Sequence, residues 1–261
     1  MYMLELKEIK RFYDVSLHPQ ERFLLKEYLQ YKILEIVFSS KYASKLVFIG
    51  GTCLRIIHQN QRFSEDLDFD NFNLTAEEFN DLGLLIKNQL ELQGYEVEIK
   101  NVIKGAFHCH VRFPGLLLQS GLSGYQEEKI LIQLDTEAQG YDFKAEQQFL
   151  NKFDVFTSIF VAPLSLLLAQ KFYAVLNRKR NKGRDFFDIV YLMSLNVKPD
   201  FSFLEQKQGI TKGSQLKSII LEHCQKLDMN DMANDVKPFL FNANDVKKIQ
   251  HFEAFLIHEN L

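Results

Sequence analysis

Two short stretches carry side chains suited to handling phosphate and metal: FIGGTCL at positions 48–54 and RFSEDLDFD at 62–70. Gly50 and Gly51 let the backbone approach a ligand closely, and the amides that open a following helix favour phosphate, with the Thr52 hydroxyl as a further donor. Asp66 and Asp68, two apart on one strand, put carboxylates on one face roughly 6–7 Å apart, near enough to bind divalent cations together. Mg²⁺ there, or Mn²⁺ in its place, would link the protein to the phosphates of an NTP, polarise the α-phosphorus and steady the departing pyrophosphate. Phosphoryl and nucleotidyl transfers ask little else of a protein beyond positioning and charge. Alone, G-G-T after a strand is a tight turn and D-x-D a solvated strand face. Together and in this order they point to nucleotidyl transfer.

A second constellation follows a hundred residues later. Lys171 lies three and four residues beyond Leu168 and Leu167, on an apolar stripe continued by Val175. A lysine there needs an anion. Asp185 and Asp188 sit one turn apart among Phe186, Phe187, Ile189, Val190 and Leu192, and they need partners too. An internal ion pair between Lys171 and Asp188 would satisfy both; such a pair adds little net stability, which leaves room for a catalytic role. Between the two motifs runs the one concentrated basic segment, Arg178, Lys179, Arg180, Lys182 and Arg184. It is either a solvated run or a grip on the backbone of an RNA acceptor.

Asp135 ends the alternating segment KILIQLD. It either opens a turn or, by resemblance to the many nucleotidyltransferases that carry a third carboxylate on a neighbouring strand, helps to deprotonate an attacking hydroxyl. Arg62 and Ser64 fit phosphate or strand-end hydrogen bonding, with a surface turn as the plain alternative for each. His108 and His110 share a strand face with Cys109 between them, but no third ligand stands at a sensible spacing, so a metal site is not expected.

The elements that must hold these groups are legible in outline. Residues 20–43 repeat near the 3.6-residue period and predict an amphipathic helix. Leu46-Val47-Phe48-Ile49 predicts a strand, Gly50 and Gly51 a turn, and Thr52 onward a helix. Positions 66–70 alternate as a half-buried strand, with Asp66, Asp68 and Asp70 on one face and Leu67 and Phe69 on the other. Thr75 with Glu78 forms a capping box for a helix to about Leu92. Strands are expected at 95–102, 107–113 and 129–135, and a loop at 115–124. From Pro163 the pattern is helical almost throughout: 163–180, 184–195, 216–224 and 246–257. The expectation is therefore an α/β (α+β) lobe over residues 1–150, with a mixed sheet, and a helical lobe over 151–261 that completes the active-site cleft.

With these residues in view, the sequence resembles the AbiEii/AbiGii-type nucleotidyltransferase toxins, MenT-type toxins among them, of bacterial toxin–antitoxin and phage-defence (abortive infection) systems. The family pattern G-G-T-x-L-R is met by Gly50, Gly51, Thr52, Leu54 and Arg55, and R-x-S-x-D-x-D-F by Arg62, Ser64, Asp66, Asp68 and Phe69. A later helix with a conspicuous lysine, then R-D-x-x-D, is met by Lys171, Arg184, Asp185 and Asp188. The resemblance spans roughly residues 23–195. It implies a polymerase-β-like nucleotidyltransferase fold, Mg²⁺ on Asp66 and Asp68, and a contact from Lys171 to the nucleotide phosphates; Asp185 joins Gly50, Gly51, Thr52, Arg62 and Ser64 as a nucleotide-binding candidate. Asp188, favoured over Asp185, would complete the site. It further implies an NTP substrate, a tRNA 3′ end as acceptor and a cognate antitoxin. Transfer to a protein or small molecule, or a catalytically weak, partner-regulated binding module of the same fold, are the alternatives.

Composition sets the bounds. The 261 residues, 46% hydrophobic and 25% charged, suffice for one large domain or two lobes with real cores. A net charge of −3 means that the whole-molecule field would not draw in nucleic acid, so any RNA contact must come from a local patch. Cys53, Cys109 and Cys224 are odd in number and share no metal-type spacing, which suits free thiols in a reducing, cytoplasmic setting. Neither a signal pattern at the start nor a long apolar run predicts secretion or a membrane span.

Overall fold

The computed structural model describes residues 4–261. Met1, Tyr2 and Met3, part of the amino-terminal stretch read above, lie outside the described residues. In chain order the elements are α1 (Leu6–Lys10), α2 (Glu21–Phe38), β1 (Leu46–Ile49), α3 (Gly50–Ile56), β2 (Leu67–Asn71), α4 (Ala76–Glu91), β3 (Glu98–Lys104), β4 (Ala106–Phe113), α5 (Leu116–Gln119), β5 (Ile130–Glu137), β6 (Glu146–Lys152) and β7 (Val155–Val161). Then come α6 (Leu164–Asn177), α7 (Gly183–Ser194), α8 (Phe201–Gln208), α9 (Gly213–Cys224), α10 (Met229–Val236), α11 (Lys247–Gln250) and α12 (Phe252–His258).

The chain divides into two units. The first holds Met1–Cys53, Phe63–Gly140 and Ala145–Val161; the second holds Leu54–Arg62, Tyr141–Lys144 and Ala162–Leu261. The expected break at residue 150 falls inside β6. The β6–β7 hairpin was not foreseen, because its core-facing positions are few: only Leu150 is buried along β6.

The first unit is built on a seven-stranded mixed sheet in the order β3-β4-β5-β2-β1-β7-β6. β2 runs antiparallel to β1 and parallel to β5, while β4 and β5 are antiparallel. Alternation assigns the faces as period-2 geometry requires. Leu67 and Phe69, Cys109, Val111 and Phe113, and Ile132 and Leu134 are buried, whereas Asp68, His108, His110 and Asp135 between them are half-exposed. β1 is buried at all four positions, as befits a central strand.

Helix α2 departs from the expected amphipathic stripe. It is buried on most sides, and its polar residues survive burial because each has a partner. Lys32 donates to Glu35 and Asp154 at 3.2 and 3.1 Å, and Glu27 accepts from the Tyr13 hydroxyl and from Lys152, each at 2.9 Å. The Thr75–Glu78 capping box opens α4 as expected.

In the second unit α6 packs on α7, and α7 on α10. A Cβ at Gly183 would overlap the Met232 carbonyl, so only glycine lets α7 start this close to α10. Helices α8 and α10 escaped the periodicity reading because each spans little more than two turns. Their starts are nonetheless marked by Asp200 and Asp228, whose carboxylates accept from Phe203 N and Asn230 N. Among the described residues no helix is long and apolar enough to cross a membrane.

Candidate active site

In the first unit the Gly50 turn and the acids of β2 are built against each other. Gly50 follows β1 with φ +78°, a left-handed conformation that suits glycine, and a Cβ added there would collide with the Asp68 carboxylate and come within 2.8 Å of its Cγ. Glycine is thus needed twice, for its φ and for its lack of a side chain. Asp68 lies opposite Ile49 on one side and Asp135 on the other. Asp66 precedes β2 by one residue. Both acids are half-buried, in reach of solvent.

Thr52 does not meet the expectation of a phosphate donor. It is fully buried and its hydroxyl donates to the Asp66 carbonyl, so it ties the start of α3 to the acid-bearing segment. Gln30 of α2 braces that segment from another side, donating to the carbonyls of Ser64 and Glu65 at 3.0 and 2.9 Å. Asp70 shares the alternation of Asp66 and Asp68 but is buried, accepting from Gln139 N at 2.9 Å. Its role is to hold the chain after β5.

Asp135 is not a turn-opening residue. It stands inside β5, in register with Asp68 on β2 and with His108 on β4. His108 Nδ1 lies 2.6 Å from Asp135 Oδ1, and Gln133 Nε2 donates to both carboxylate oxygens at 2.8 and 3.0 Å. Sequence reasoning missed this pairing. The alternation put His108 on the right face, but only register shows which residue stands opposite.

In the second unit Arg62, Lys171, Asp185, Asp188 and Arg178 come together with Asn60, which the sequence did not single out. Asp188 is wholly buried, and its lone pairs are filled. Oδ1 accepts from Arg62 Nε and Asn60 Nδ2, each at 2.7 Å. Oδ2 accepts from an Arg62 terminal nitrogen at 2.6 Å and faces Lys171 Nζ at 2.8 Å. Burial alone would push the Asp188 carboxyl up, but the Arg62 guanidinium and then the Lys171 ammonium outweigh it and hold it below the usual carboxylate range. The same balance, burial against Asp188 and Asp185, leaves Lys171 raised.

Two expectations change as a result. Arg62 is neither a surface residue nor turned to a phosphate: it is 1% exposed and clasps Asp188 through a two-point ion pair. Asp188, filled on both oxygens, is the electrostatic centre of this cluster. Asp185 is the less committed acid, taking Lys171 at 3.0 Å on Oδ1; Arg178 Nε lies 3.1 Å from Oδ2, close enough for an ion pair but not aligned as a hydrogen bond. Lys171 uses two of its three N–H groups on these acids.

Of the basic run, Arg178 pairs with Asp185 and Lys182 approaches Asp235 at 3.5 Å. Lys179, Arg180 and Arg184 make no ion pair among the described residues, and Lys179 and Arg180 are exposed. All three cysteines are free and buried, and burial pushes the Cys109 and Cys224 thiols up to about 12. Among the described residues no group of three or more His, Cys, Asp or Glu side chains is arranged to hold a metal ion.

Comparison with solved structures finds JHP933 from Helicobacter pylori, 18% identical with a TM-score of 0.56, over 91% of each chain. A second H. pylori protein, described as a candidate nucleotidyltransferase, is 16% identical with a TM-score of 0.52, over 90% of this chain and 95% of its own. These likenesses establish the fold. No curated protein matches. The family model of the nucleotidyl transferase AbiEii toxin, of type IV toxin–antitoxin systems, matches residues 32–256, which take in both constellations. Covering most of the sequence, that match makes this chain a nucleotidyltransferase of the AbiEii toxin family.

Proposed function

We propose that the protein transfers NMP from an NTP to a hydroxyl of an RNA acceptor, the tRNA 3′ end being favoured, in a reaction dependent on Mg²⁺. The observation that carries this reading is the packing of the Gly50 turn on the Asp68 carboxylate, with Asp66 beside it and Asp135 in register across the ladder. Asp66 and Asp68 are hard, partly exposed oxygen donors. They fit Mg²⁺, which commonly takes one or two protein carboxylates and completes its shell with water and substrate phosphates, so a closed cage of protein ligands is not required. When bound, the ion would neutralise phosphate charge and stabilise the leaving pyrophosphate.

The chain's own residues then have distinct tasks. Gly50 and Gly51 leave room for the polyphosphate beside β2, while Thr52 and Gln30 keep Asp66 and Asp68 in place. In the second unit Lys171 keeps, among the described residues, one N–H beyond the two given to Asp185 and Asp188. Lys179, Arg180 and Arg184, free of internal ion pairs among the described residues, supply the local positive charge that a polynucleotide needs on a molecule of net charge −3. Family membership brings a cognate antitoxin as partner.

The test is incubation of the protein with each α-labelled NTP, Mg²⁺, total RNA and total protein. Label in tRNA supports the proposal. Label confined to protein or small molecules replaces the acceptor, and NTP binding without any transfer removes the enzymatic reading.

A further inference from the structure

Asp68, Asp135 and His108 are register partners on three adjacent strands, β2, β5 and β4. Directly opposed residues of a ladder share a face, so the three side chains form one row. Asp135 is an acceptor when ionised, and the 2.6 Å contact to His108 Nδ1 therefore puts the imidazole hydrogen on Nδ1 and the lone pair on Nε2. His108 makes no other hydrogen bond among the described residues, and a third of its side chain, 33%, is exposed. Asp135, by contrast, already accepts from His108 and twice from Gln133. The row thus ends in a basic nitrogen open to solvent, oriented by a carboxylate.

From this geometry, and resting on the reading of Asp66 and Asp68 as the nucleotide-holding acids, we infer that His108 is the general base for the attacking hydroxyl. Strands stand about 4.8 Å apart, so the His108 backbone lies roughly 10 Å from that of Asp68. That span accommodates a phosphate beside Asp68, a hydroxyl about 3–3.5 Å from its phosphorus and a base about 3 Å from the hydroxyl. In the step, the hydroxyl oxygen bonds to the α-phosphorus and the bond to the bridging oxygen breaks. Pyrophosphate leaves with that electron pair, and the hydroxyl proton passes to His108 Nε2. Asp135 keeps the Nδ1 hydrogen bond and balances the imidazolium charge. The other charged or titratable groups on this face are Asp66 and Asp70 on either side of Asp68, His110 and Arg112 of β4, Glu98, Lys100 and Lys104 of β3, and Glu137 of β5.

The test uses the full chain with α-labelled NTPs, Mg²⁺ and total RNA. His108→Asn keeps a side-chain N–H for Asp135 but has no basic nitrogen; its kcat is expected to fall about 100-fold or more, with KM for NTP within about threefold. His108→Gly should be equally slow and recover with added imidazole. A His108→Asn variant with wild-type kcat overturns the inference and returns the base role to Asp135. A His108→Gly variant that binds labelled NTP like the wild type yet stays inactive in imidazole overturns it as well. Failure of the underlying reading looks different: the unaltered protein then transfers no label, or Asp68→Asn transfers as well as wild type.

Discussion

Arg62, Asn60, Lys171 and Asp188 illustrate how one carboxylate can be fully committed. Removing one partner of a buried ion pair leaves the other charge uncompensated, at a cost of about 3–5 kcal/mol. Asp188→Ala removes the carboxylate that Arg62 and Lys171 share and leaves Lys171 with Asp185, so urea denaturation should report a loss within that range. Asp68 sits on a half-exposed face. Asp68→Asn should abolish transfer while changing stability by less than about 1 kcal/mol, measured in the same way. If the two variants changed places, with Asp188→Ala stable and Asp68→Asn unfolded, the roles assigned to the two acids would be reversed.

At the scale of the element, the β1–α3 turn and the β2–β5–β4 ladder do the positioning. An alanine at Gly50 must adopt a left-handed φ, at about 1–2 kcal/mol, and must also push the Asp68 carboxylate aside. Gly50→Ala is therefore expected to lose both stability and activity, and activity should fall further than the smaller folded fraction explains; thermal melts alongside transfer assays check this. The element itself was legible: an apolar run ending in two glycines could hardly be read otherwise, and the capping box at Thr75 stood where expected. The β6–β7 hairpin was not, because Phe149 and Phe156 are exposed while few of their neighbours are buried, which blurs the inside–outside alternation.

Across the whole molecule, pH and salt separate the contributions. Burial lowers His58 to about 4 from its ordinary 6.5, so the folded chain resists a proton that the unfolded chain accepts. Stability from this source is complete above pH 6.5 and is lost as pH falls towards 4, up to about 3 kcal/mol in all. Asp188, also depressed, adds a loss at still lower pH; Lys171, raised, contributes below its ordinary value and loses that contribution only as pH climbs through its elevated one. Urea midpoints at pH 7 and 4.5 should draw apart in the wild type and less so in His58→Gln. For the acceptor, Lys179→Ala with Arg180→Ala should weaken RNA binding across sequences and flatten its salt dependence by about 0.7 for each phosphate no longer neutralised. An unchanged slope would remove this patch from the acceptor site.

The amino-acid order was enough to locate the glycine turn, Asp66 and Asp68 at the start of β2, the lysine on α6 and the acids on α7. Each depends on neighbours within a few positions, where helical or strand period dictates which side chains share a face. It was not enough to say that Arg62 faces Asp188, 126 positions away, or that His108 meets Asp135. Those pairings arise only when the chain closes on itself: strand register chooses the residue opposite, and burial forces every charge it encloses to find a counter-ion.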